Sequence, residues 1–213
     1  MRHEPVNMIE EIRRHRLIAI MRHMPDDQLG PVFETLADAG IRLIEVTMNT
    51  AGAVSQISRM QDLMGERMLI GAGTVSTVAR AEEALAAGAR FLVTPNFDPD
   101  VVALGLASGC PVLPGVLTPS EMMAAVRAGA SVLKLFPASR MGTDYVRDVL
   151  APLDDLNLVA VGGITPQNAA QWLAAGCVGV GLGSSLLDRQ LLHERRFAEL
   201  GRQVRQLTAA LAG

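Results

Sequence analysis

At 213 residues the chain fits a single domain, 1–213, with one core that buries most of its apolar surface; two small domains fit less well. Apolar residues make up 49% of it and aromatics only 3%, so Ala, Val, Leu, Ile and Met must fill that core, a composition suited to helices packed on a parallel sheet. The formal charge of −3 and the lack of a basic tract argue against nucleic acid as a partner and favour a small molecule.

In chain order, the first seven residues, Met1-Arg-His-Glu-Pro-Val-Asn7, carry no apolar core of signal-peptide type, and no apolar run is long enough to span a bilayer, so the expected location is cytoplasmic. Residues 7–16 predict a helix placed ahead of the first strand. Eight short apolar, β-rich runs follow, at 17–22, 42–47, 68–72, 91–94, 111–114, 131–136, 158–161 and 178–182. Segments of helical length lie between them, among them 26–39, 51–64, 77–87 and 166–175, and 188–212 predicts a closing helix. This alternation is the pattern of βα units around a parallel sheet. Eight units in such a length predict a compact α/β fold, a (β/α)8 TIM barrel with an extra N-terminal helix; an open doubly wound sheet is the alternative, with fewer strands.

The punctuation agrees. Ala39-Gly40, Ala87-Gly88, Ala128-Gly129 and Ala175-Gly176 each stand just before a strand, where glycine stops a helix, and their spacing of 48, 41 and 47 residues marks about every second unit. Asp98-Pro99, Thr118-Pro119 and Thr165-Pro166 offer an N-cap followed by proline at the first helical position. Cys110 and Cys177 each follow a glycine in apolar surroundings and read as buried free thiols.

Functional side chains of such a barrel sit at the C-terminal ends of the strands and in the loops that follow. The polar groups there are Arg22, Glu45, Thr47, Thr74, Thr94, Lys134, Gly162-Gly163 and Gly183-Ser184-Ser185. Lys134 is the chain's one lysine, the other 18 basic residues being arginine, and it stands in an apolar strand where an unpartnered charge is costly. Strand alternation puts Leu43, Glu45 and Thr47 on one face of the second strand, and Val132, Lys134 and Phe136 on one face of the sixth. If those faces point inward, Lys134 and Glu45 fill the same layer of the barrel from opposite sides. A pair kept for structure alone is the competing reading, but desolvation offsets most of its attraction. A desolvated lysine instead holds some neutral amine, the form that attacks a carbonyl; an ionised Glu45 pushes the other way, and the net direction is open from sequence.

The glycine pairs after strands seven and eight, Gly162-Gly163 and Gly183-Ser184, occupy the two loops that most often bind phosphate in these barrels, with backbone N–H groups and a serine hydroxyl as donors. Arg22 ends the first strand with a planar fork suited to a carboxylate or phosphate, a surface ion pair being the plainer reading. His3, His15, His23 and His193 are scattered, no metal-ligand spacing is present, and His15 and His193 read as solvated helix positions. Gly71-Ala-Gly-Thr74 lacks the final glycine and the later acidic residue of a dinucleotide motif.

Ile44-Glu-Val-Thr-Met-Asn-Thr50, Leu69-Ile-Gly-Ala-Gly-Thr-Val75, Val93-Thr-Pro-Asn96, Leu133-Lys-Leu-Phe-Pro137, Val161-Gly-Gly-Ile-Thr-Pro166 and Gly181-Leu-Gly-Ser184 together resemble the 2-keto-3-deoxy-6-phosphoaldonate aldolases, over about residues 17–187. The resemblance implies a class I aldolase, a homotrimer of (β/α)8 barrels with no metal or other cofactor. It implies Lys134 as the Schiff-base lysine and Glu45 as general acid/base, with Arg22, Thr74, Pro95 and Phe136 lining the pyruvyl pocket and Gly162, Gly163, Gly183 and Ser184 holding phosphate. Asn49 stands where phosphogluconate members carry arginine, and Val161 where they carry threonine. Both, with Thr94-Pro-Asn96, resemble the phosphogalactonate branch, so the expected substrate is 2-dehydro-3-deoxy-6-phosphogalactonate, with the gluconate epimer second. A phosphosugar isomerase or epimerase and a noncatalytic phosphosugar-binding protein are the rivals, and neither accounts for an inward lysine.

Overall fold

A computed structural model describes residues 6–211; residues 1–5, which hold His3 and most of the N-terminal stretch read for a signal, and Ala212, the expected end of the last helix, lie outside the described residues. The sheet is wholly parallel and consists of nine hydrogen-bonded segments. The strands are β1 (Leu17–Met21), β2 (Leu43–Thr47), β3 (Leu69–Gly73), β4 (Leu92–Val93), β5 in two halves (Val112–Leu113 and Gly115–Val116), β6 (Leu133–Leu135), β7 (Leu158–Val161) and β8 (Gly179–Leu182). The first half of β5 pairs with β4 and the second with β6, so the ring of eight strands closes through β5. Ten α-helices accompany them among the described residues: α1 (Met8–His15), α2 (Asp26–Asp38), α3 (Ala53–Met64), α4 (Val78–Ala86), α5 (Pro99–Ala107), α6 (Pro119–Arg127), α7 (Gly142–Leu150), α8 (Ala169–Ala174), α9 (Arg189–His193) and α10 (Phe197–Leu211). The expected (β/α)8 barrel with an added N-terminal helix is therefore the fold.

Two apolar clusters hold it. One lies between the strands' outer faces and the helices, with Ile44, Val46, Ile70, Leu133 and Leu135 against side chains such as Phe33, Ile57 and Met122. The other fills the barrel interior with Ile18, Leu43, Phe91, Val93, Leu113, Val132 and Val159, and α1 closes its floor with Met8 and Ile12. A Cβ on Gly179 would lie 2.6 Å from the Ile12 side chain, so glycine there admits the plug. Both strand faces being buried, the strands read as continuous apolar runs, and the rare polar members stand out.

Helix ends follow the sequence closely. Asp98 caps α5 and Thr118 forms a capping box with Glu121 on α6, each worth about 1 kcal/mol. Gly40, Gly88, Gly129 and Gly176 all have positive φ and close their helices, and Gly109 after α5 does the same, a member of the repeat that the Ala-Gly pattern passes over because serine precedes it.

Three expectations are corrected. The fifth strand does not stop at Pro114: the Pro114 carbonyl accepts from Lys134 N–H at 2.9 Å, and the Thr94 hydroxyl takes the Gly115 N–H at 3.1 Å where the ladder is interrupted. The eighth helix begins at Ala169 rather than at Pro166, because Asn168 folds its side chain back onto Thr165 N–H at 2.8 Å and holds the first turn as a separate loop. The closing helix is broken in two, α9 and α10, by Arg195 in the left-handed conformation at φ 54°, with Arg196 N–H on Leu191 O and Arg195 N–H on Leu192 O closing α9. Ion pairs of Arg195 with Asp27 and of Arg196 with Glu194 and Glu199 accompany that break.

Candidate active site

Glu45 and Lys134 sit mid-strand in β2 and β6 and are 3% and 6% exposed, in an interior otherwise lined mainly by apolar side chains. Burial is the larger influence on each. It raises the Glu45 carboxyl above its ordinary value, with the charges of Lys134 and Arg22 opposing. It lowers the Lys134 ammonium, opposed by Glu45 and reinforced by Arg22. The direction left open by the sequence is thus downward for the lysine, and each shift runs against the charged form of its group.

Neighbouring strands make room for these groups. A Cβ on Gly73 would stand 2.4 Å from Glu45 Oε1, so the carboxyl lies over a bare stretch of β3. Next in the chain, Thr74 has φ 56°, and its hydroxyl accepts from the Arg22 guanidinium at 3.4 Å. The Gly71–Thr74 segment thus serves this site by clearing space and turning a hydroxyl toward Arg22. Lys134 Nζ lies 4.8 Å from the centroid of the Phe136 ring, a cation–π distance when the amine is protonated. A Cβ on Gly162 would meet the same ring at 3.1 Å, so Phe136 stands between the amine and the loop after β7. Pro95 is half-buried, its carbonyl 2.4 Å from where a Cβ on Gly115 would be. Thr94 is consumed by structure: fully buried, it donates to Asn96 O at 2.5 Å and accepts from Gly115.

The two glycine loops are joined. Gly162 and Gly163 have φ 95° and 75°, Ser139 N–H donates to Gly162 O at 3.0 Å, Asn168 Nδ2 donates to Gly163 O at 3.3 Å, and Ser185 Oγ donates to Ile164 O at 2.6 Å, tying the β8 loop to the β7 loop. Arg22, Gly183, Ser184 and His193 are among the residues lining a cavity of about 510 Å³. Asn49 is exposed in the turn after β2, and Val161 is 7% exposed and packed toward Gly181, beneath the Gly162 loop.

The structure thus gathers Arg22, Glu45, Thr74, Lys134, Phe136 and Gly162 at one end of the barrel, while Gly183 and Ser184 share a cavity with Arg22 alone of these six. Sequence reasoning named Ser185 among the polar groups of its loop but passed over the use of Gly73 and Asn168; a glycine opposite an inward carboxyl was the one available signal. His15 differs from its expected solvated position, being partly buried with its side chain 3.6 Å from Glu11, and burial lowers its pKa. Cys110 and Cys177 are buried free thiols, their pKa values pushed up to about 12 by desolvation.

Gly163→Ala tests the loop. Its Cβ would lie 2.1 Å from Ser139 Oγ on a left-handed backbone. On the phosphate role expected from the sequence, KM for a phosphorylated substrate should rise about 10- to 100-fold; an unchanged KM removes the loop from phosphate binding.

Compared with known proteins, residues 8–203 match the family described as KDPG and KHG aldolase. The chain is 40% identical over 172 residues to the 2-dehydro-3-deoxy-6-phosphogalactonate aldolase of Escherichia coli strain K12, covering 80% of this chain and 83% of that one. It is similar to a solved native KDPGal structure, with a TM-score of 0.84 and 35% identity over 92% of this chain and 95% of that one. A KDPG aldolase from Legionella pneumophila, with pyruvate captured at low pH as a covalent carbinolamine intermediate, is similar at a TM-score of 0.87 and 25% identity, over 98% of this chain and 99% of that one.

Proposed function

The chain belongs to the KDPG and KHG aldolase family, and from that premise we propose that it cleaves 2-dehydro-3-deoxy-6-phosphogalactonate to pyruvate and D-glyceraldehyde 3-phosphate through a Schiff base on Lys134. The observation that carries this reading is the buried Lys134 amine, its pKa lowered, sharing the barrel interior with Glu45, whose pKa is raised.

Neutral Lys134 attacks the C2 carbonyl and a carbinolamine forms. Glu45, through a water, delivers its proton to the departing hydroxyl, and water leaves to give the iminium. As a carboxylate it then takes the C4 hydroxyl proton while the C3–C4 electron pair flows into the iminium. Glyceraldehyde 3-phosphate departs, the enamine is protonated at C3, and hydrolysis of the imine frees pyruvate and Lys134. The protonated imine is the electron sink, so the reaction requires no metal. Arg22 and Thr74 would face the carboxylate, with Pro95 and Phe136 beside the pyruvyl group. Gly162, Gly163, Gly183 and Ser184 would hold the phosphate and so place C4 near Glu45.

Asn49 and Val161 are the proposed basis of the choice between epimers. The 40% identity to a phosphogalactonate aldolase supports that choice over the gluconate epimer. Cleavage of the two epimeric phosphates, assayed in EDTA, tests it: kcat/KM for the galactonate is expected to exceed that for the gluconate by at least about tenfold, and the reverse order refutes the assignment. We propose further that the protein is a single-domain, cytoplasmic homotrimer; among the described residues no helix is long and apolar enough to cross a membrane.

A further inference from the structure

We propose that Thr50 is a positioning residue that holds Arg22 at the substrate carboxylate by fastening the turn after β1 to the turn after β2. This rests on the reading of Arg22 given above. His23, next in the chain to Arg22, has φ 53°, a left-handed conformation that side-chain-bearing residues rarely adopt. Its N–H donates to Thr50 Oγ1 at 3.0 Å, and Thr50 Oγ1 lies 3.0 Å from Thr47 Oγ1. Thr47 is fully buried and Thr50 nearly so, which leaves little solvent to replace either partner.

A second clasp acts on the same turn. Gln56 of α3, itself buried, donates from Nε2 to Met24 O at 3.1 Å and to Asp26 Oδ1 at 2.5 Å. The segment that carries Arg22 is therefore bound twice by groups of the following βα unit. The guanidinium, by contrast, makes one long hydrogen bond among the described residues, 3.4 Å to Thr74. Where Arg22 points is set by the backbone it hangs from more than by its head-group contacts.

A residue held in a sparsely populated conformation stays there only while its surroundings over-determine it. Thr50 supplies the acceptor for the strained residue's own N–H. Thr50→Val keeps the shape but takes the acceptor from the part-buried His23 N–H and the partner from the buried Thr47 hydroxyl, so the turn relaxes and Arg22 moves off the carboxylate.

The test is a double-mutant cycle with Arg22→Gln, read as steady-state cleavage. Thr50→Val is expected to raise KM about tenfold with kcat changed less than about threefold, and Thr50→Ser to restore the wild-type KM. In the Arg22→Gln background the valine substitution is expected to add less than about twofold, because the group it positions is already gone. Equal effects in both backgrounds, or a wild-type KM in Thr50→Val, overturn the proposal. Thr50→Ala, which removes the acceptor without steric demand, runs through the same cycle so that the outcome does not hinge on one variant's folding. Borohydride trapping of pyruvate on wild-type protein separates the two readings: no adduct at Lys134 sinks the proposed reaction, whereas an adduct together with additive KM effects sinks the role of Thr50 alone.

Discussion

Lys134→Met is expected to lower turnover by more than about 10⁴-fold while making the protein more stable, by about 1–3 kcal/mol at neutral pH. The loss of activity follows from removing the nucleophile; no second lysine can take its place, since this is the chain's only one. The stability gain follows from burial. An amine 6% exposed among apolar side chains resists its charged form, and a thioether of similar length avoids that penalty. Truncating one member of a buried pair usually strands the other's charge. Here burial raises the Glu45 pKa, which lowers the cost of leaving that carboxyl without its partner. The sign with pH is fixed by the lysine's lowered pKa: its contribution to stability is present above the ordinary value of 10.5 and is lost as pH falls through the folded value. The variant's advantage should therefore be largest at low and neutral pH and fade as pH rises toward 10.5. Thermal unfolding across pH checks it. A variant several kcal/mol less stable than wild type would mean that Glu45 is ionised and the two side chains form a structural ion pair.

Glu45→Gln should leave the fold intact and reduce kcat by about 10²- to 10⁴-fold, the range for loss of a positioned acid/base. The amide fills the space over Gly73 that the carboxyl occupies, so packing is retained. The carboxyl's raised pKa means that its contribution to stability is full below the ordinary value of 4.5 and is lost as pH rises through the folded value. The glutamine variant lacks that loss, so its stability relative to wild type should improve across the same window. Single-turnover kinetics then separate the steps: nucleophilic attack by Lys134 survives in the variant, while dehydration of the carbinolamine and C3–C4 cleavage slow. Full activity in Glu45→Gln removes the residue from the mechanism.

The barrel was legible because its strands are apolar on both faces and its helices end on glycine, so alternation and punctuation agreed. What was not legible had no local signal. Proline ordinarily ends a ladder, and only Thr94, about twenty residues away in the chain, rescues the strand beyond Pro114 by accepting from Gly115 N–H. The break at Arg195 lacks the glycine that usually marks one, and its companion Asp27 lies 168 residues away.

The same division holds at the site. Lys134 and Glu45 announced themselves because charge is costly in such strands and alternation fixes the side they face. The direction of the lysine's pKa was not readable, since it depends on the balance of desolvation against Glu45 and Arg22. Gly73 serves by what it lacks, and Thr50 by a bond to His23 formed 27 residues back along the chain. Neither residue type suggests its use until the strands are side by side.

The measurement that bears most directly on the account is reductive trapping. Wild-type protein incubated with pyruvate and borohydride, then digested and mapped, should carry a carboxyethyl group on Lys134 and lose its aldolase activity in step with labelling. Modification confined to other groups such as the N-terminal amine, or full labelling with activity retained, would contradict a Schiff base on Lys134 as the path of the reaction.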